Sequence, residues 1–155
     1  MGNLIWHNWA RYVTVVASLY AIWAGFWGIY FRKFFWDFIG GTLRDPGGLQ
    51  PSPKVSFFIT IIVKFPIIQI STILSAMTLV ALEYPLPMFK GTALHRSFIL
   101  RVVLLILQAF IAVLFYQGTN ATLYSLIGAI GYTRAIVLGE TMEDAKNNRG
   151  KGGHA

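Results

Sequence analysis

Long apolar runs separated by short polar segments dominate the chain. Tyr12–Phe31 is uncharged over twenty consecutive residues, and Val55–Leu82, Phe98–Tyr116 and Ala121–Leu138 follow as three further runs. A helix rises about 1.5 Å per residue, so twenty residues cover roughly 30 Å, the hydrocarbon thickness of a bilayer. The pattern predicts an all-α protein, a four-helix transmembrane bundle with a short disordered C-terminal tail. The four-span membrane domain is expected over residues 1–139. The cytosolic tail is expected over 140–155, a polar, Gly-rich stretch with too little apolar content to order itself.

The second run is longer than a bilayer needs, since 28 helical residues reach about 42 Å. Pro66 removes one backbone bond and crowds the carbonyl of Ile62, so a kink is expected there, with the main span from Phe65 to Leu82. Val55–Val63 would tilt or lie near the interface, with Lys64 reaching the headgroups. Gly118-Thr119-Asn120 predicts a tight turn that makes the last two spans an antiparallel hairpin. Residues 32–54 form the substantial loop, with turn chemistry at Asp45-Pro46-Gly47-Gly48.

Composition agrees with the pattern. Hydrophobic residues make up 55% of the chain and charged ones 12%, about half the usual soluble fraction. A chain of 155 residues leaves no room for a catalytic domain beside such a bundle, so an enzyme is not expected. The net charge of +7 is scattered, without the basic cluster and interleaved aromatics that bind nucleic acid, and reads as topology. With both termini cytosolic, eight Lys and Arg lie on or near that face and five on the other. The Asn120-Ala121-Thr122 sequon would then face the lumen, close to the membrane. Cysteine is absent, which excludes disulfides and thiolate metal sites. The first run is too long for a signal-peptide core, and Trp6 stands where the myristoylation pattern wants Ser or Thr.

Few residues could carry chemistry. Glu83 ends the second run and Arg101 lies one turn into the third. Opposite charges at similar depth on neighbouring helices should form a structural ion pair, because an unpaired intramembrane charge is expensive. Arg134, near the end of the last run, is an interfacial charge for headgroups, acidic lipid or a partner. The three histidines, His7, His95 and His154, all fall outside the spans, so no haem is expected to be bound by this chain alone. No carboxylate sits well inside a span, which argues against a proton or cation pathway. Small residues recur at helical spacing: Ala17, Ala21, Gly25 and Gly28 in the first run, and Ala121, Ser125, Gly128, Ala135 and Gly139 in the last. Such stripes let helices approach closely, within the bundle or on a partner. Trp6, Trp9 and Tyr12, and Trp27, Tyr30 and Trp36, suit aromatic belts at the two interfaces.

Four segments in order carry a resemblance. Met1-Gly2-x-x-x-Trp6-x-x-Trp9-Ala10, Leu82-Glu83-Tyr84-Pro85, Arg101-Val102-Val103-Leu104 and Gly139-Glu140 resemble the light chain (alpha subunit) of NADPH oxidase flavocytochrome b. The long loop and kinked second span are similar to its filamentous-fungal counterpart, an endoplasmic-reticulum membrane protein. The resemblance implies a non-catalytic integral membrane subunit that supports a superoxide-generating NADPH oxidase. Its catalytic partner would carry haem and FAD, and localisation would be the endoplasmic reticulum, or the plasma membrane with the partner. Animal members of the family dock an SH3 domain through a proline-rich tail. Residues 140–155 contain no proline, so that docking is not expected here. Arg11 replaces an Asn of the animal chains, and residues 32–54 are an insertion. Two other readings compete: an endoplasmic-reticulum assembly factor or chaperone for other membrane proteins, and a small transporter. The second would want broken helices around a midplane site, to which Pro66 alone corresponds.

Overall fold

The computed structural model describes residues 4–32, 53–84 and 92–142. These residues are helical and form no strand. The elements are α1 (Trp6–Phe31), α2 (Ser56–Ile59), α3 (Ile67–Glu83), α4 (Ala93–Arg96), α5 (Phe98–Val113) and α6 (Thr119–Val137). The Asp45-Pro46-Gly47-Gly48 turn, Trp36, Pro85 and the tail beyond Met142 lie outside the described residues.

The four long helices close into a ring: α1 packs against α3 and α6, and α5 packs against the same two. All four neighbouring pairs are antiparallel. Gly131 of α6 lies against Ala10 of α1 and Gly128 against Thr14, while Asn120 reaches Tyr20. Gly28 of α1 touches Gln69 of α3, and Arg11 reaches Glu83 at the other end. The N-terminus of α1 therefore shares one end of the bundle with the C-termini of α3 and α6 and the N-terminus of α5.

The faces of these helices are inverted relative to a water-soluble bundle. Thr14, Ser18, Gln69, Thr72, Gln108 and Ser125 are buried on the inside together with small residues such as Ala17, Ala21, Ala112 and Ala121. Large apolar side chains point outward from every helix, among them Leu19, Trp23 and Phe26 of α1, Leu74 and Met77 of α3, Val103 and Phe110 of α5, and Leu123 and Ile130 of α6. The helix α1 is long and apolar enough to cross a membrane. Ser56–Lys64 and Ile67–Glu83 pass the same test as one bent unit, with 66° between the halves. Helix α5 is apolar but shorter. Glycine, serine and threonine dilute the apolar content of α6.

The bend has a visible cause. Phe65 is extended (φ −120°, ψ 122°), as a residue before proline prefers, and Pro66 is the N-cap residue of α3. Before the bend, Thr60–Lys64 widens into a π-helical turn that closes with Phe65 N–H donating to Thr60 O at 2.8 Å. Proline cannot donate to the carbonyl of Ile62 four residues back. The Gln69 side chain does so instead, Nε2 to Ile62 O at 2.9 Å, with a longer bond to Gly28 O at 3.4 Å. Gly28 permits this: a Cβ there would stand 2.9 Å from Gln69 Cγ and 2.8 Å from the Phe115 ring.

The connection from α5 to α6 lies earlier than the Gly118-Thr119-Asn120 turn expected from sequence, over residues 114–118, and Thr119 and Asn120 already belong to α6. A 3₁₀ turn over Tyr116–Gly118 leads directly into α6 at Thr119. A Cβ on Gly118 would lie 2.1 Å from Ala112 O, so only glycine allows the chain to turn back so closely. At the other end of the chain, α1 begins at Trp6, six residues before its apolar run. The extra turn and a half contains His7 and Arg11, which the polar end of the bundle uses.

Candidate functional site

Polar side chains from five segments converge at the end of the bundle where α1 begins. At its centre is Arg101, with none of its surface exposed. Its Nε donates to Glu83 Oε1 at 3.0 Å. Its Nη1 donates to the carbonyls of His95 (2.7 Å) and Ser97 (3.1 Å), and its Nη2 to Leu82 O at 2.9 Å. Four of the five guanidinium N–H groups thus end on an oxygen. The fork also lies over the Tyr132 ring, 5.7 Å from its centroid.

Glu83, equally buried, is the last residue of α3. Its Oε1 accepts from Arg101 and from the Tyr132 hydroxyl at 2.5 Å. Three cationic or imidazole groups close the C-terminal end of α3, where backbone carbonyls lack partners within the helix. Arg101 and His95 Nδ1 (3.0 Å) both donate to Leu82 O, and Arg11 Nη2 donates to Glu83 O at 2.9 Å. A carbonyl only accepts, so His95 carries its proton on Nδ1 here. Arg11 also covers the Tyr84 ring, 4.9 Å from the centroid. Positive charge at a helix C-terminus is stabilising in its own right.

A second clamp stands beside the first. The N-cap of α1 is Ile5, which has no side chain able to cap the helix. Glu140 does it from the far end of the chain: its carboxylate accepts from the backbone N–H of Trp6 (3.0 Å) and His7 (2.9 Å) and from His7 Nδ1 (2.8 Å). An anion at a helix N-terminus satisfies orphan donors and opposes the positive end of the helix dipole. His7 stacks on Phe98 (centroids 5.4 Å, planes 23° apart), and Phe98 packs on Tyr132 at 5.5 Å. The contacts therefore run unbroken from Glu140 through His7, Phe98 and Tyr132 to Glu83 and Arg101.

Sequence reasoning names Glu83 and Arg101, and they meet. It assigns Glu140 to the tail, which is a correction: Glu140 is folded onto α1, because the N–H groups that need it sit beside it once α1 and α6 pack antiparallel. Of the histidines expected outside the spans, His7 instead lies in the first turn of α1, a correction, while His95 lies in the short α4, and both join the folded cluster. Arg134 sits exposed in the last turn of α6, where the helix dipole favours a cation. Ala121, Ser125, Gly128 and Ala135 are buried. Gly128 abuts Thr14 and Leu105, and the Ser125 hydroxyl accepts from Gln108 Nε2 at 2.9 Å. This stripe packs α6 onto α1 and α5 within the chain, so it is not a face left for a partner. Among the described residues no three of His, Asp and Glu converge in a way that could hold a metal.

The arrangement ties the four long helices together at one end of the bundle. Charges held this way contribute little to stability against apolar substitutes, but stranding one of them is costly. Arg101→Gln should destabilise the folded chain by about 3–5 kcal/mol, the cost of leaving a buried carboxylate unpaired. Exchanging the two residues (Glu83→Arg with Arg101→Glu) should not restore it, because a carboxylate at position 101 cannot donate to the carbonyls of Leu82, His95 and Ser97. Thermal unfolding of the purified chain in mild detergent measures both.

Glu140 generates a sharper test. Ending the chain after Met142, which packs against the core, should leave its melting temperature unchanged. Ending it after Gly139, or Glu140→Gln, should lower stability by about 1.5–3 kcal/mol, the range for hydrogen bonds to a charged group. Equal stability of all three forms would show that the clamp carries no energy.

Comparison with known proteins places the chain in a family. No curated protein and no solved structure matches the chain. A family profile, described as a domain of unknown function (DUF7727), matches residues 1–140. The match ends at the residue whose carboxylate closes the second clamp. The chain belongs to the DUF7727 family.

Proposed function

We propose that this protein is a four-span, non-catalytic integral membrane subunit that holds a superoxide-generating NADPH oxidase in its folded, assembled state. The membrane part of the reading rests on the inverted faces of the bundle. Water would drive Trp23, Phe26, Val103 and Phe110 inward and Gln69, Gln108 and Ser125 outward; a hydrocarbon solvent favours the reverse. Helices of 16 to 26 residues span about 24–39 Å, which brackets the hydrocarbon thickness with modest tilt or thinning. The end bearing the clamps carries Arg11, Arg96, Arg101 and Arg134 and is the cytosolic end in this reading.

One observation carries the subunit part. The four segments that resemble the oxidase light chain are far apart in sequence and meet at one end of the fold. Trp6 of the first segment is tied to Glu140 of the last, and Glu83 of the second to Arg101 of the third. The likeness therefore falls on the residues that hold the bundle together, and not on four incidental stretches of membrane helix. A subunit of this kind acts by mass action: by binding only the folded oxidase it stabilises that state. Its inner stripes are consumed by its own packing, so the oxidase would be met by the outer apolar faces.

Deleting the gene should lower superoxide output and the amount of the catalytic oxidase protein while leaving its message unchanged. Affinity purification in mild detergent should recover that haem- and flavin-bearing protein as the main companion. Recovery of many unrelated membrane proteins, with normal oxidase abundance in the deletion, would instead favour a general assembly factor of the endoplasmic reticulum.

A further inference from the structure

The four long helices give four measures of the apolar height of the bundle. On α1 the exposed rings of Tyr12 and Trp27 mark the inner edges of two aromatic girdles. They stand fifteen residues apart, about 22 Å along the helix. Helix α3 has 17 residues, about 26 Å, and ends at the exposed Tyr84. The apolar stretch before it adds little height, because the break at Pro66 turns Ser56–Lys64 aside by 66°. Helix α5 has 16 residues, about 24 Å, between the Ser97 cap and the turn that carries the exposed Tyr116. On the outside of α6, Asn120 and Arg134 are both exposed and stand fourteen residues apart, about 21 Å. Counting the exposed Val137 and Leu138 beyond Arg134 extends that face to about 27 Å.

We propose that the outer face of the bundle fits a thin, sterol-poor bilayer with a hydrocarbon core of about 21–27 Å, a reading that rests on the helices lying in a membrane. The core of an average bilayer is about 30 Å thick, and that of a sterol-rich plasma membrane about 32–33 Å, against about 27 Å in the endoplasmic reticulum. Tilting does not remove the shortfall, since it shortens the height a helix spans and so helps only a helix that is too long. Helix α1, with 26 residues and about 39 Å, has that freedom; α3, α5 and α6 do not. In a thicker bilayer the outer polar groups would be drawn below the headgroups. The long Arg134 side chain can snorkel back. The short Asn120 side chain cannot, and its Nδ2 already donates to the exposed Tyr20 hydroxyl at 3.3 Å. Lipid would have to thin around the whole perimeter, or bundles would cluster to share the mismatch. Thickness, rather than any one headgroup, therefore selects the membrane, and it would give the proposed endoplasmic-reticulum localisation a physical basis.

The full chain reconstituted in a series of phosphatidylcholines that differ only in acyl length tests this. The series runs from dimyristoleoyl through dipalmitoleoyl, dioleoyl and dieicosenoyl to dierucoyl phosphatidylcholine, all fluid. The midpoint of thermal unfolding, followed by circular dichroism, should be highest in one of the three shorter lipids. It should fall by several degrees on going to dierucoyl phosphatidylcholine, where chemical cross-linking should also trap clustered chains. A midpoint that is highest in either of the two longest lipids, or that does not change along the series, would overturn the proposal. Flotation of the vesicles after a carbonate wash separates the two levels of the argument. A chain that floats with none of the lipids refutes the membrane reading as well, and one that floats with all of them at constant stability refutes the thin-bilayer fit alone.

Discussion

A buried guanidinium must place its N–H groups on oxygens, and the rest of the structure is arranged around that demand. Arg101 reaches the α3 carboxylate and three backbone carbonyls from two separate segments. Satisfying it fixes where α3 stops, how α4 and the start of α5 fold back, and how α5 sits against α3. The Tyr132 hydroxyl on Glu83 then brings in α6, and Arg11 on the Glu83 carbonyl brings in α1. Every long helix contributes to one polar cluster at a single depth. Apolar side chains in hydrocarbon give little register information, since lipid tails are as apolar as leucine. A charged cluster with one good geometry provides it.

The two ends of the bundle follow different logics. The clamped end is polar, closed and made of groups that satisfy one another, with Glu83 Oε2 and Arg11 Nε as its unpartnered atoms. The opposite end is aromatic and open, and its bend at Pro66 is held by the Gln69 amide on Ile62 O, the Phe65 N–H on Thr60 O and Arg32 on Lys64 O. Rigidity concentrated at one end is what the proposed subunit role would need, since such a chain would keep its own shape while its apolar exterior met lipid and a larger partner.

Parts of this were legible in the sequence and parts were not, for physical reasons. Apolar run length locates the helices, and Pro66 locates the bend. Pairing of Glu83 with Arg101 follows because two opposite charges lie at similar depth on helices joined by a short link. Nothing local marks Tyr132, which sits 49 residues from Glu83, or Glu140, which caps a helix that starts 134 residues earlier. The one available hint was negative: α1 begins without a capping side chain at Ile5, so its orphan N–H groups needed an anion from elsewhere. The small-residue stripe of α6 was ambiguous because helices in lipid approach a partner and a neighbour by the same means. The packing of Gly128 on Thr14 and Leu105 decides for the neighbour.

The central claim is that the apolar faces of the four helices meet lipid while the polar seam is hidden inside. The natural chain has no cysteine, so single cysteines can be introduced without removing any. Cysteines replacing Met77, Val103 and Leu126 on the outer faces of α3, α5 and α6, in the chain reconstituted in vesicles, should resist a water-soluble maleimide. A spin label on each should collide with oxygen, which concentrates in lipid, and not with a polar nickel chelate. Rapid maleimide modification and nickel accessibility at all three positions would mean that these faces lie in water, and the membrane account would fail.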